Sequence, residues 1–259
     1  MISVARLVLV ALMLVSASAG TSGARPPVAL TASPSHVALT GAARETVRVT
    51  NFGASRVIVD VSRAGFALDL RGRPEIVGQR AVSRSAAGWL GFRPRTLALK
   101  PGGTASVTIT SRLPARAEPG DHDALLLFTT RPRARDGIAV RMRMGVVVVV
   151  RAPGTVVRRL ELRSLAVAQR GRARVLELRV ANRGNVTESI ARASATLSLY
   201  RGGRRIAKLR AEPRELRPQT SGILQFRYRG SLHGPAIARI ELAPDSSGRV
   251  VRRTFRVRV

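Results

Sequence analysis

The chain contains no cysteine. That absence excludes disulfide stapling, thiol catalysis and any metal site built on thiolates. A fold of 259 residues must then be held together by buried apolar area. Aromatic residues amount to only 3%, too few for the stacking platforms of single-strand nucleic-acid binders. Carboxylates are scarce too, with 15 Asp and Glu against 45 Lys and Arg, which leaves few oxygens to converge on calcium. The three histidines, His36, His122 and His233, stand in separate turn-like regions. No G-x-S-x-G elbow, H-E-x-x-H helix or phosphate-binding glycine loop is present, so nothing points to catalysis or to a cofactor. The expectation is a non-enzymatic protein with no catalytic, cofactor-binding or metal residues.

Long apolar runs are equally few. One opens the chain, in MISVARLVLVALMLVSASAG. Arg6 gives the basic start, Leu7 to Val15 the apolar stretch and Ala17-Ser18-Ala19 the small-residue cleavage pattern. The reading is a signal peptide over 1–19 and a linker over 20–27, with an uncleaved anchor as the alternative. No later stretch is long enough for a spanning helix. The mature chain is therefore expected to be extracytoplasmic, secreted or associated with the cell wall, and without a transmembrane helix.

What is abundant is arginine. Lys100 and Lys208 are the only lysines, so arginine carries nearly all of the +30 formal charge. Such a chain attracts polyanions. Export argues against nucleic acid and leaves anionic wall polymers as the expected partner. The second half carries the greater excess of positive charge. Arg201, Arg204 and Arg205 crowd one hairpin, and Arg256 and Arg258 share one face of the final strand. These five are the candidate anion-binding residues.

The rest of the chain alternates. ETVRVTN, RVIVDVS and GTASVTIT each place apolar residues at every second position, the mark of half-buried antiparallel strands. Turn signals at Asn51-Phe52-Gly53, Pro101-Gly102-Gly103 and Pro119-Gly120 separate them. The stretch QRAVSRSAAGW permits one short helical turn at most. After Ala152-Pro153-Gly154 the pattern restarts, and two echoes link the halves. VRVTNFGAS (47–55) matches LRVANRGNV (178–186), and RTLALKPGGTASVTI (95–109) matches RELRPQTSGILQF (214–226). The fold class is all-β: two tandem immunoglobulin-like sandwiches, over 28–152 and 153–259.

One segment breaks the alternation. In RMRMGVVVVVRAP, five consecutive valines follow the alternating start. Five residues span about 17 Å as a strand, far too little for a membrane helix. Its outer side is either covered by the second sandwich or a loop, or left as a docking groove or exposed edge for another protein's strand. Val146, Val148 and Val150 are the candidate partner-binding residues. If a client strand pairs there, Val148→Arg should abolish client binding and leave the fold intact. A wall-polymer binder should tolerate that change and fail on charge reversal of Arg204 and Arg205. In Asp121-His122-Asp123, strand geometry puts the two carboxylates on one face and the imidazole on the other, which fits a structural role better than a metal site. Trp89, the sole tryptophan, fits inter-sheet packing, with sugar stacking as the alternative.

The order of WLGFRPRTLALKPGGTASVTITSRLPARAEPGDHDALLLFTT, VRMRMGVVVVVRAPG and LELRVANRGNVTES resembles the WxL-interacting cell-surface proteins, in particular their actinobacterial branch. That resemblance implies a peptidoglycan-binding-domain-like first sandwich and a surface protein that contacts cell-wall peptidoglycan and other surface proteins. A broader likeness links the chain to periplasmic pilus chaperones, which also have two sandwiches and an apolar late strand. It implies the alternative function, an extracytoplasmic chaperone or assembly factor pairing a client strand with Val146 to Val150.

Overall fold

The computed structural model describes residues 26, 28–77, 84–132, 134–135, 138–139, 141–171, 173–230, 233–243 and 250–258. The expected signal peptide lies outside the described residues, as does nearly all of the linker. Among the described residues no helix is long and apolar enough to cross a membrane.

The first core is enclosed by two sheets. One has the order β1 (Leu30–Ser33), β3 (Arg44–Asn51), β8 (Thr104–Ser111), β6 (Leu90–Arg93). The other runs β2 (His36–Thr40), β12 (Arg143–Ala152), β9 (Gly120–Thr130), β4 (Val57–Leu68), β5 (Pro74–Val77), and β7 (Thr96–Leu99) also pairs with β4. A two-residue ribbon, β10 (Ala134–Arg135) with β11 (Ile138–Ala139), precedes β12. The alternation read from the sequence is realised strand by strand. Val47 and Val49 of β3 and Val107 and Ile109 of β8 are fully buried, while Arg44, Thr46 and Arg48 face solvent. The single described helical turn is Ala87–Trp89, within the stretch that allowed one.

The second core repeats the arrangement. Strand β14 (Ala173–Asn182) lies between β13 (Leu160–Arg170) and β19 (Ser221–Tyr228), and β15 (Glu188–Ile190) pairs with β18 (Arg214–Leu216). The facing sheet has the order β17 (Arg204–Arg210), β16 (Ala195–Arg201), β20 (Pro235–Leu242), β21 (Val251–Arg258). Leu176, Leu178 and Val180 from one sheet meet Leu197, Leu199 and Ile240 from the other. The chain is all-β, with two tandem immunoglobulin-like sandwiches, each around its own apolar core.

Both sandwiches pin a strand end with a buried asparagine. Asn51 Nδ2 donates to the carbonyls of Ser55 and Lys100, at 2.8 and 3.2 Å, and its Oδ1 accepts from Gly53 N at 2.9 Å. Asn182 Nδ2 donates to the carbonyls of Val186 and Leu216, at 2.8 and 3.0 Å, and its Oδ1 accepts from Gly184 N at 2.9 Å. The echo between VRVTNFGAS and LRVANRGNV is the sequence form of this repeated device: a buried amide that satisfies backbone groups the turn leaves unpaired.

Candidate partner-binding edge and inter-sandwich cleft

The valine strand uses both of its faces. Val146, Val148 and Val150 point into the first core and are fully buried, with Met144 packed on the same side. Val147 points outward, where it joins Phe66, Leu125 and Leu127 in a small second cluster. Five consecutive valines are tolerated because the outer face is covered as well as the inner. The side chains of Val146, Val148 and Val150 are therefore turned away from any partner. Val148→Arg would place a charge in the core, so it cannot separate client binding from folding.

What the strand leaves open is backbone. Strand β9 pairs with β12 along its whole length, from Arg143 to Ala152. Strand β2 runs parallel on the other side but covers only Val147 to Arg151. The Val147 N–H donates to the Ser35 carbonyl at 3.1 Å. Backbone groups alternate in direction along a strand, so the N–H and C=O of Arg143 and Gly145 point the same way as those of Val147. No strand among the described residues meets them there.

The Asp121-His122-Asp123 stretch sits where the sandwiches meet. His122 turns inward and stacks on Trp89, with ring centroids 4.2 Å apart, and its Nε2 lies 2.8 Å from the Glu118 carbonyl. Burial pushes its pKa down, outweighing the pull of that carbonyl. Trp89 is half-buried against the first core, the packing role expected of it. Asp121 and Asp123 face the second sandwich. Asp121 accepts two bonds from Arg151, at 2.6 and 3.0 Å, and one from the Thr187 N–H at 2.8 Å. Burial disfavours its charge, yet those donors hold its carboxyl below the usual value. Asp123 accepts one bond from Arg217 Nη1 at 2.9 Å, with both side chains buried. Here burial dominates over the Arg217 charge and pushes the carboxyl up to about 6.

Gly120 shows how closely the two bodies approach. Its φ is +105°, and a Cβ built there would lie 2.0 Å from the Asn185 carbonyl oxygen. The Asp121 N–H donates to that same carbonyl at 2.8 Å. Only a residue without a side chain fits.

Beside this contact opens a cleft of about 540 Å³. Phe66, Leu68 and Val147 line it from the first sandwich, Pro213 and Ile223 from the second, with the arginines Arg71, Arg214 and Arg217 between. The Arg217 guanidinium lies 5.8 Å above the Phe66 ring. The Nε atoms of Arg214 and Arg217 are buried without a hydrogen-bond partner among the described residues. Burial lowers the pKa of Arg214, which donates from Nη1 to the Ile223 carbonyl at 3.1 Å. The cleft thus combines an apolar floor with guanidinium groups that have donors to spare. Among the described residues, no three His, Asp or Glu gather as a metal site.

The arginines chosen from the sequence divide between two places. Arg205 and Arg256 fall in one cross-strand row, Arg205–Tyr200–Ile237–Arg256, on the outer face of the second sandwich. Arg258 lies two residues along the same face, opposite Pro235. Arg201 and Arg204 pair with each other at the hairpin end, with side chains on the opposite parity. Sequence reasoning missed Arg217, Arg214 and Phe66. Nothing in a chain with 45 basic residues distinguishes the buried Arg217 or the half-buried Arg214.

No family model matches the chain, the WxL-interacting family included, and no curated protein matches it. Solved structures do match in shape. The class 5 fimbriae chaperone CfaA is 12% identical, with 87% of this chain and 98% of that one covered and a TM-score of 0.49. The CsuC–CsuE chaperone–tip subunit complex of Acinetobacter baumannii is 13% identical, covers 87% and 97%, and scores 0.47. The CupB2 chaperone of Pseudomonas aeruginosa is 16% identical, covers 88% and 100%, and scores 0.42. At these identities and scores the likeness carries no role over to this chain.

Proposed function

We propose that this protein is a non-enzymatic assembly factor of the cell exterior that holds an extended segment of a partner protein against the open half of β12. The observation that carries this reading is the backbone of Arg143 and Gly145, which no strand among the described residues pairs with on that side and which continues the line along which β2 pairs with Val147 to Arg151. A segment laid there gains ladder hydrogen bonds at once. Arg143 is exposed beside it, which favours a segment carrying acidic residues and opposes edge-to-edge pairing of two copies of this chain. The half-buried Met144 gives an apolar side chain of the segment something to pack on. Pilus chaperones, whose two-sandwich order this chain shares, occur in solved complexes with a pilin and with a tip subunit; partner-protein binding is proposed here on the strand edge alone.

The test is selection of random twelve-residue peptides, displayed on phage, against the full chain. Selected peptides should alternate apolar and acidic residues and lose binding to Gly145→Pro, which removes an N–H at an edge where proline is structurally tolerated. Selected peptides that bind Gly145→Pro as well as the parent would sink the reading.

A further inference from the structure

The outer face of the β17-β16-β20-β21 sheet is a second feature, independent of the strand edge. Residues opposed across a sheet share a face, so the register assigns this one. Arg205, Tyr200, Ile237 and Arg256 form one row, Lys208, Ser198, Arg239 and Thr254 the next, and Arg210, Thr196, Glu241 and Arg252 a third. With Arg258 beyond the first row, seven cations stand on one face with a single carboxylate among the described residues. That carboxylate, Glu241, is paired with Arg252 at 2.9 Å. No carboxylate among the described residues pairs with Arg205, Lys208, Arg210, Arg256 or Arg258. The face measures about 15 Å across its four strands and about 25 Å along them.

The middle of this basic field is apolar. Ile237 is 43% exposed and stands between Tyr200 and Arg256. The Arg239 guanidinium lies 4.6 Å over the Tyr200 ring. A chain that placed arginines only for solubility would have no reason to centre them on an exposed isoleucine and a tyrosine.

We infer that this face binds an anionic phospholipid surface. A sheet face presents charges from several neighbouring strands to a surface at once, whereas a linear polyanion meets only one row of them. Basic residues draw the protein to anionic headgroups, and Tyr200 and Ile237 suit the boundary between headgroups and acyl chains. A protein seated in this way would be held at the membrane without a spanning segment in the described residues.

The experiment is co-sedimentation of the full chain with vesicles at physiological salt. Vesicles of phosphatidylcholine with one third phosphatidylglycerol should carry the protein down, and pure phosphatidylcholine should not. Arg205→Glu with Arg256→Glu should weaken vesicle affinity on the order of a hundred-fold. Arg44→Glu with Arg48→Glu, the same charge change on the exposed face of the first sandwich, should cost far less. Ile237→Ser should lower vesicle affinity about five-fold and leave the binding of soluble polyphosphate unchanged. Equal losses from the two double variants would overturn the inference and leave a general charge effect. Tighter binding of polyphosphate than of vesicles, lost through the same double variant, would overturn it in favour of a linear polymer. Failure to sediment with the anionic vesicles would overturn it outright. None of these outcomes bears on the strand-edge reading, whose probe is a peptide.

Discussion

Arg217 of the second sandwich reaches across to Asp123 of the first, Nη1 to Oδ1 at 2.9 Å, and both side chains are buried. An ion pair taken out of water is weak evidence of net stability, because desolvating two charges offsets most of their attraction. Its geometry is specific, however. It fixes how the second sandwich sits over β9 and the outer face of the valine strand, and so shapes the cleft walled by Phe66 and Val147.

The two interface carboxylates respond to pH with opposite sign. Asp123 binds its proton more tightly folded than unfolded, at about 6. Its contribution to stability is complete below the unfolded value near 4 and is lost as pH rises through about 6. Asp121 is held below its ordinary value, so its contribution is present at neutral pH and is lost on acidification. In Arg217→Met the cation that opposes desolvation of Asp123 is gone. The variant should be close to the parent in thermal stability at pH 4 to 5 and fall progressively behind it towards pH 8. A stability deficit independent of pH would mean that Arg217 acts through packing on Phe66 instead.

Asp121→Ala leaves the Arg151 guanidinium and the Thr187 N–H without their acceptor. Denaturant titration at pH 7 should show a loss of about 2 kcal/mol. The deficit should shrink at acid pH, where the parent loses the same interaction.

Gly120→Ala drives a methyl group into the Asn185 carbonyl at a backbone φ of +105°. The expected cost is about 3 kcal/mol or more, since both the strain and the clash must be relieved by parting the two sandwiches. Small-angle scattering should report a longer particle, with the circular dichroism of each sandwich retained.

Asn51→Ala and Asn182→Ala should each cost about 2 to 3 kcal/mol, because each orphans buried backbone groups at the end of a strand. The two losses should fall on different sandwiches. Amide exchange should show Asn51→Ala loosening the first core and Asn182→Ala the second, with little crosstalk between them.

These asparagines also mark how far the sequence could be read. Period-two alternation revealed the strands, since one buried face per strand is all an outer sheet position requires. The repeat of Asn51 at Asn182 showed through because the same buried amide does the same task in both halves. The parity of Asp121, His122 and Asp123 was legible for the same geometric reason. The valine run announced that two faces are covered without saying which valines look outward; Val147 does, while Val146, Val148 and Val150 fill the core. The cleft was invisible. Arg214 and Arg217 differ from their exposed neighbours only through tertiary burial, and no local pattern records that a second sandwich folds over Phe66.

The central claim concerns the edge of β12, and amide hydrogen exchange followed by NMR tests it most directly. In the free chain the amides of Arg143 and Gly145 should exchange rapidly, while those of Met144 and Val146 to Val150 are protected. Addition of a selected acidic–apolar peptide should protect Arg143 and Gly145 and leave the rest unchanged. If those two amides are already protected in the free chain, or stay exposed with the peptide bound, the partner is not held at this edge and the account is contradicted.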